Sequence, residues 1–599
     1  MRDHRMHRRL RAFRVLIAFS FRVAPRQATA FLLSGALMAF TTPATSYTAK
    51  LLVDAAVAHD RHGGLRAALA LALIVGIGLI SGLTYIDLLF TVVEKAGAAL
   101  DRRLMELVGG IAGLAHHEQP EYLNQLELLR EQRAELAWMT NATAGLLRVA
   151  VQLVTSAVLL ARLQPLLLLL PLVGVISFVA GKRARDLQRR ATESTTETER
   201  LRRHPFEQAT AASAGKEVRI FGLADELVVR HHRIAQTVIA ARNRAEWQSA
   251  GLQAVDALIY GLAYSGAIGL VLVRAVHGQA TPGDVVLAVG LAAGMNGIVT
   301  TAVAYGTHFL SVLRVAGRYL WLEDYARSTQ TTEGAASPPA RLGTGIEIRD
   351  LSFRYSGLSH AALSGVSVRL PAGSVVALVG ENGAGKTTLV KLLCRFYEPD
   401  AGAILVDEVD LRQFPVERWR ARVSTAFQDF SRFEFLVRET VGVGHLPDVE
   451  DARVVQEALA QAGADDIAPR LASGLETQLG RAWGGGVDLS GGQWQKLALG
   501  RALMRPDPLL VIFDEPTAAL DPRTEHALFE RFAATARSGA RAGTVTVLVS
   551  HRFSTVQMAD WIIVMADGRI VEQGSHQQLV QRDGLYAELY RLQSRAYVS

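Results

Sequence analysis

Gly380-Glu381-Asn382-Gly383-Ala384-Gly385-Lys386-Thr387-Thr388 follows the apolar run Val375–Val379 and opens a helical pattern, Leu389–Phe396. Glycines between a strand and a helix let backbone N–H groups turn toward phosphate oxygens, and the helix N-terminus adds partial positive charge. In this frame Lys386 is expected to reach the β and γ phosphates of a nucleotide, and the Thr387 hydroxyl to bind Mg²⁺. Downstream, the apolar run Leu509–Phe513 ends at Asp514-Glu515. Two acids at a strand tip can divide the work, with Asp514 holding Mg²⁺ through water and Glu515 orienting the attacking water.

The runs Val375–Val379, Arg422–Phe427, Leu509–Phe513, Val545–Ser550 and Trp561–Met565 alternate with helical segments from Gly345 onward. This predicts an α/β P-loop nucleotide-binding domain with a mainly parallel sheet over 345–599. Before it, Ser-Thr-Gln-Thr-Thr-Glu-Gly-Ala-Ala-Ser-Pro-Pro (328–339) is small and polar, and 326–344 reads as a linker.

The first half differs in kind. The chain has 599 residues, half of them hydrophobic, too many for one core. Ala28–Tyr47, Leu69–Ile86, Leu166–Gly181, Ala257–Val273 and Val285–Thr307 lack charge. A span needs roughly 20 apolar residues. Six membrane helices are expected, at about 27–56, 64–94, 136–161, 165–181, 250–275 and 283–308, so 1–325 reads as a six-helix α-helical transmembrane domain with cytoplasmic helical extensions. Segments 117–126 and 204–215 carry Pro120 and Pro205, and are expected to break the extensions into short transverse helices that touch another domain.

The net charge is +7. Basic residues cluster beside apolar spans, Arg2 to Arg14 before the first and Lys182 to Arg190 after the fourth, which marks cytoplasmic ends and argues against nucleic acid as a partner. The Arg-rich start fits a transit peptide or a helix lying on the inner membrane surface; Leu10, Phe13, Leu16, Ile17 and Phe19 favour the second. The single cysteine, Cys394, excludes an intrachain disulfide. Arginine outnumbers lysine, as in GC-rich bacterial genomes.

The order of motifs resembles the ATP-binding cassette family, in its exporter branch with fused membrane and nucleotide domains. Leu489-Ser490-Gly491-Gly492-Gln493, shortly before Asp514-Glu515, matches the family signature. The resemblance implies that Ser490 and the backbone near Gly492 bind the γ-phosphate of an ATP held by a partner cassette. Gln428 resembles the loop glutamine that joins the Mg²⁺ site to the membrane domain. Tyr355 stands where the family stacks an aromatic on adenine. Asp521 resembles the loop residue that crosses between cassettes, and His551 the switch histidine that contacts γ-phosphate and aligns Glu515.

Two positions depart from the family pattern. The turn Gly480–Gly486 lacks the usual Glu, so Trp483 or Arg481 is expected to make the contact with the membrane domain. Glu408 stands where a β-turn glycine is common.

The resemblance implies ATP-driven export across the cytoplasmic membrane of a multi-pass bacterial protein, with cassette and N-terminus inside. A single half must pair, with a second copy of itself favoured over a paralogous half-transporter. The alternatives are an ATP-gated channel or regulatory membrane ATPase, and a soluble-type ATPase acting on nucleic acid, which the apolar spans oppose.

The cargo class stays open between peptide or natural product, lipid and drug. The segment Phe427–Phe435 and the Trp-Gly-Gly-Gly turn are similar to peptide and natural-product exporters. No peptidase-sized segment precedes the first helix, so leader trimming is expected of another protein.

Arg148 and Asp256 lie inside apolar spans, roughly 20 and 30 Å from the outer helix ends. Ionisable groups there default to functional candidates. Arg148 is expected to face the pathway, paired with Asp256 or with an anionic part of the cargo. The other reading puts both in the wet cytoplasmic extensions. Asp87 and His308 are weaker candidates near the inner surface.

Overall fold

The computed structural model describes residues 11–598, except 12–13, 16, 212–213, 330–333, 516–542 and 551. The chain forms two compact units. One contains Met1–Val108 and Gln125–Asp324, the other Gly109–Asn124 and Tyr325–Ser599.

Among the described residues, the first unit contains six helices long and apolar enough to cross a membrane. They are α1 (Pro25–Val57), α2 (Arg61–Gly109), α3 (Met139–Leu163), α4 (Leu169–Ser194, entered through a 3₁₀ turn at Pro165–Leu168), α5 (Ala224–Val276) and α6 (Pro282–Ser328). Each overlaps an expected span. Four run well beyond one, because the polar segments next to the spans keep helical periodicity: α2 has 49 residues, α5 53 and α6 47, and α4 continues to Ser194. Proline opens α1 and α6, where its fixed φ suits the first turn and its missing N–H costs nothing. A Cβ on Gly145 of α3 would lie 2.2 Å from the Tyr305 ring, so only glycine lets that ring lie against the helix.

The two proline-marked segments behave differently. The first breaks the helical path as expected: α2 ends at Gly109, and a one-turn helix, Ala115–Glu118, precedes Pro120. This segment packs on the cassette within the second unit. Leu114 N–H donates to Phe396 O (3.2 Å), Arg420 Nη2 donates to Ala112 O (2.6 Å), and Lys391 Nζ pairs with Glu118 (3.2 Å). The second departs from expectation. A helix runs unbroken through Pro205 from Thr196 to Thr210, and the next begins at Gly215.

The cassette contains two sheets. β1 (Gly345–Phe353), β2 (Leu363–Pro371), β4 (Ala401–Val406) and β5 (Val409–Asp410) form an antiparallel sheet in the order β2-β1-β4-β5. β3 (Val375–Val379), β6 (Val423–Ala426), β7 (Leu510–Asp514), β8 (Val545–Val549), β9 (Trp561–Ala566) and β10 (Arg569–Gly574) form the second, ordered β10-β9-β3-β8-β7-β6 and parallel except for β10. Every residue of β3, β7 and β8 is buried, as continuous apolar strands of a covered parallel sheet must be. Parallel pairing places the carboxyl ends of β3, β6, β7 and β8 along one edge, where ligands of such sheets bind. The glycine loop, Gln428 and Glu515 all follow those ends.

Candidate ATP site

The glycine loop leaves β3 with Gly380, Gly383 and Gly385 at φ 155°, 86° and 99°. Gly383 and Gly385 lie in left-handed backbone that side chains rarely adopt. Gly385 caps α7 (Lys386–Leu393), whose N-terminus faces the loop's hollow. Lys386 Nζ donates to Gly380 O (2.7 Å) and Glu381 O (2.9 Å). Burial holds its ammonium below the usual lysine range, against the opposing pull of Glu515 and Asp514. The loop thus keeps a partly desolvated cation over backbone carbonyls, ready to exchange them for phosphate oxygens.

A cavity of about 1220 Å³ opens here, lined by Tyr355, the whole loop from Gly380 to Thr388, Gln428 and Glu515. Its further walls include Phe553, Asp567 and Leu589, which no motif marked in the sequence. Tyr355 shares a hydrogen bond with Thr388 (Oη to Oγ1, 3.2 Å), and Lys391 Nζ lies 5.3 Å from its ring centroid.

Glu515 sits at φ 44° and its N–H donates to Val549 O (3.0 Å). The left-handed turn at the end of β7 directs its carboxylate to Gln428, whose Nε2 donates to Oε2 at 3.0 Å. Asp514 is 3% exposed. Burial, with Glu515 and Asp429 nearby, pushes its carboxyl up to about 6. Lys386 and Lys391 pull the other way without outweighing these effects, so the ionised carboxylate is held at a cost that a further cation would relieve.

The signature lies elsewhere in the chain's own geometry. Ser490 caps α8 (Gly491–Leu503) in a reciprocal capping box, its N–H bonded to Gln493 Oε1 (2.9 Å) and its Oγ accepting from Gln493 N–H (3.3 Å). Ser490, Gly491, Gly492 and Gln493 do not line the cavity that holds the glycine loop. Asp521 and His551 lie outside the described residues.

These geometries are matched by known proteins. Residues 363–518 match the ABC transporter family. An ATP-dependent lipid A-core flippase of Chromohalobacter salexigens is 30% identical over 71% of this chain and 70% of its own length. The chain belongs to the ABC transporters. The flippase of Chromobacterium violaceum is 29% identical over 94% of both chains. A solved bacterial Atm1-family ABC exporter with ATP bound superposes with a TM-score of 0.70 at 26% identity, covering 96% of this chain and 99% of that one. This ABC transporter is therefore of the exporter type, with fused membrane and nucleotide-binding regions, and its ATPase is coupled to transport.

The unusual turn of this exporter is held within the cassette. Trp483 Nε1 donates to Glu434 Oε2 (3.0 Å), and Arg481 pairs with Asp488 (3.3 Å). Trp483 nevertheless stays 55% exposed.

In the membrane unit, Arg148 and Asp256 are not brought together. Arg148 Nη2 donates to Tyr305 Oη (3.4 Å) and Nη1 lies 3.5 Å from Met38 Sδ. Its guanidinium lies 5.4 and 5.7 Å from the ring centroids of Tyr85 and Tyr305. Asp256 lines a separate cavity with Asn296. Asn296 and Tyr305 are nine residues apart on α6, roughly 13 Å of rise, which is too far for the expected pair.

Proposed function

We propose that this exporter works as a homodimer in the bacterial cytoplasmic membrane, with cassette and N-terminus inside, and moves an amphipathic lipid whose headgroup carries an anionic group outward by alternating access. The domain reading goes with it: membrane domain 1–325, linker 326–344, cassette 345–599. The observation that carries the substrate reading is the Arg148 clasp. Among the described residues no carboxylate pairs with Arg148. It is held instead by the faces and hydroxyl of two tyrosines, which leaves its charge uncompensated in an apolar domain. An anionic headgroup would supply the missing charge. The two flippases named above give independent support for a lipid.

In the cassette, ATP would lie on the glycine loop with its adenine on Tyr355 and its phosphates against Lys386 and the N-terminus of α7. The residues present fit a magnesium ion. Thr387 offers a hydroxyl, Gln428 an amide oxygen, and Asp514 a buried carboxylate whose ionised form a dication would stabilise. Magnesium is usually held by few protein groups together with phosphates and water. Bound there, the ion would neutralise charge developing on the phosphates.

Glu515, oriented by Gln428, would polarise the attacking water, aided by His551. Ser490, Gly491, Gly492 and Gln493 would close on the partner's ATP, with Asp521 beside the interface.

ATP hydrolysis in nanodiscs tests this reading. Glu515→Gln should lose hydrolysis while retaining ATP binding, and equal rates would refute its role. Arg148→Ala should raise the phospholipid concentration needed for half-maximal stimulation by tenfold or more. An unchanged value removes the clasp from the pathway.

A further inference from the structure

The membrane unit contains a second polar feature, distinct from the Arg148 clasp. A cavity of about 320 Å³ lies among α4, α5 and α6, lined by Arg185, Gln188, Gln253, Asp256 and Asn296 among others. Asp256 Oδ1 and Asn296 Oδ1 are both buried without a hydrogen-bond partner among the described residues. Of the donors on the cavity wall, Gln253 Nε2 is committed to Ser249 Oγ (3.1 Å), and among the described residues Arg185 bonds neither oxygen. Tyr260 Oη fixes the backbone beside Asn296, donating to Ala292 O (2.5 Å) and accepting from Asn296 N–H (3.1 Å). The amide therefore stands on a braced turn of α6. Two orphaned acceptors, one of them a carboxylate, are costly inside an apolar domain and call for a cationic donor.

A metal ion fits poorly, because among the described residues the cavity lining holds one carboxylate and no His or Cys. An ammonium fits well, since its three N–H donors match the two oxygens. Arg185 also lines the cavity and, among the described residues, forms no ion pair. Arg185 and Val303 both belong as well to an adjoining pocket of about 830 Å³, with Lys182, Arg189 and Arg314 beside Phe309 and Leu310. Acceptors for an ammonium, cations for an acid and an apolar wall thus follow one another along the same helices.

We propose that this cavity recognises the headgroup of an amine-bearing phospholipid, with the ammonium on Asp256 and Asn296 and the phosphate on Arg185. The proposal rests on the lipid-export reading and narrows it to a headgroup in which the anionic phosphate is joined to an amine.

The test uses the full-length protein in phosphatidylcholine nanodiscs, whose quaternary ammonium has no N–H to donate. Phosphatidylethanolamine or phosphatidylglycerol is titrated in, and ATPase stimulation is read for each. Wild type should respond to phosphatidylethanolamine at a concentration at least tenfold below that for phosphatidylglycerol. Asp256→Asn should abolish this ratio, and Asn296→Asp should increase it. Taking the ratio within each variant cancels differences in folded fraction.

Equal responses to the two lipids in wild type, or an unchanged ratio in Asp256→Asn, would overturn the proposal while leaving lipid export standing. If neither lipid stimulates, the export reading fails first. Stimulation by an amine-bearing peptide that depends on Asp256, without any by phosphatidylethanolamine, would also overturn it.

Discussion

Replacing Arg420 by alanine should release the segment that follows α2 from the cassette. The guanidinium donates from Nη2 to Ala112 O (2.6 Å) and Arg395 O (2.7 Å), and from Nε to Cys394 O (3.2 Å). It also lies 4.9 Å from the Phe396 ring centroid. The Cys394 and Arg395 carbonyls belong to the end of α7, where a cation is doubly useful. Only the bond to Ala112 holds the docked segment directly. A hydrogen bond from a charged donor contributes about 1.5–3 kcal/mol, and 1.4 kcal/mol is a factor of ten. Amide exchange across residues 112–118 should therefore accelerate roughly 10- to 100-fold, measured by hydrogen exchange on the full chain in nanodiscs. Arg420→Lys offers one ammonium in place of a fork and should fall between. Exchange within twofold of wild type in Arg420→Ala would show that Phe396 and Lys391 suffice and that the argument from Arg420 is wrong.

Acid should loosen the same region. His116 is 2% exposed, packed against His117, Tyr122 and Tyr325, and burial together with His117 pushes its pKa down to about 4. A depressed histidine supports the fold fully above about pH 6.5 and loses up to about 3 kcal/mol as pH falls toward 4. The thermal midpoint of wild type should drop across that window more than that of His116→Phe, and parallel curves would refute this. Glu408, at φ 69° in the turn between β4 and β5, should gain about 1 kcal/mol of cassette stability on Glu408→Gly; a denaturation midpoint that falls would show that its side chain does more than fill a turn. Ser490→Ala removes a helix cap that contributes about 1 kcal/mol and should also abolish ATP-dependent dimerisation, as read by light scattering of Glu515→Gln with and without the second change. Dimers that persist would exclude the serine from the interface.

The chemistry of the cassette was legible because each motif needs its neighbours. Val375–Val379 before the loop and Leu389 onward after it fix strand and helix, and burial on both faces makes the parallel strands read as unbroken apolar runs. The antiparallel sheet was not anticipated: Ile346, Ile348, Leu351 and Phe353 carry its alternating burial, but register shifts in β1 blur the period. The helical extensions were legible from their pattern, but the apolar spans end short of the helices, since apolar windows stop where charge begins although the helix does not. Pro205 misled because a buried proline can be carried within a helix when packing outweighs one lost backbone bond. The pairing of Arg148 with Asp256 failed for a geometric reason: depth along a helix can be counted, whereas rotation about its axis depends on packing that no single sequence displays.

The capping box at Ser490 has a consequence for how two such chains meet. The serine Oγ accepts from the Gln493 backbone N–H, and the Gln493 side-chain oxygen accepts from the Ser490 N–H. Both bonds use acceptors, so the cap leaves the serine O–H and the Gln493 side-chain N–H groups to donate. A phosphate can therefore be met without undoing the cap. The start of α8 is already held in shape before a nucleotide arrives, and closure need not order it first.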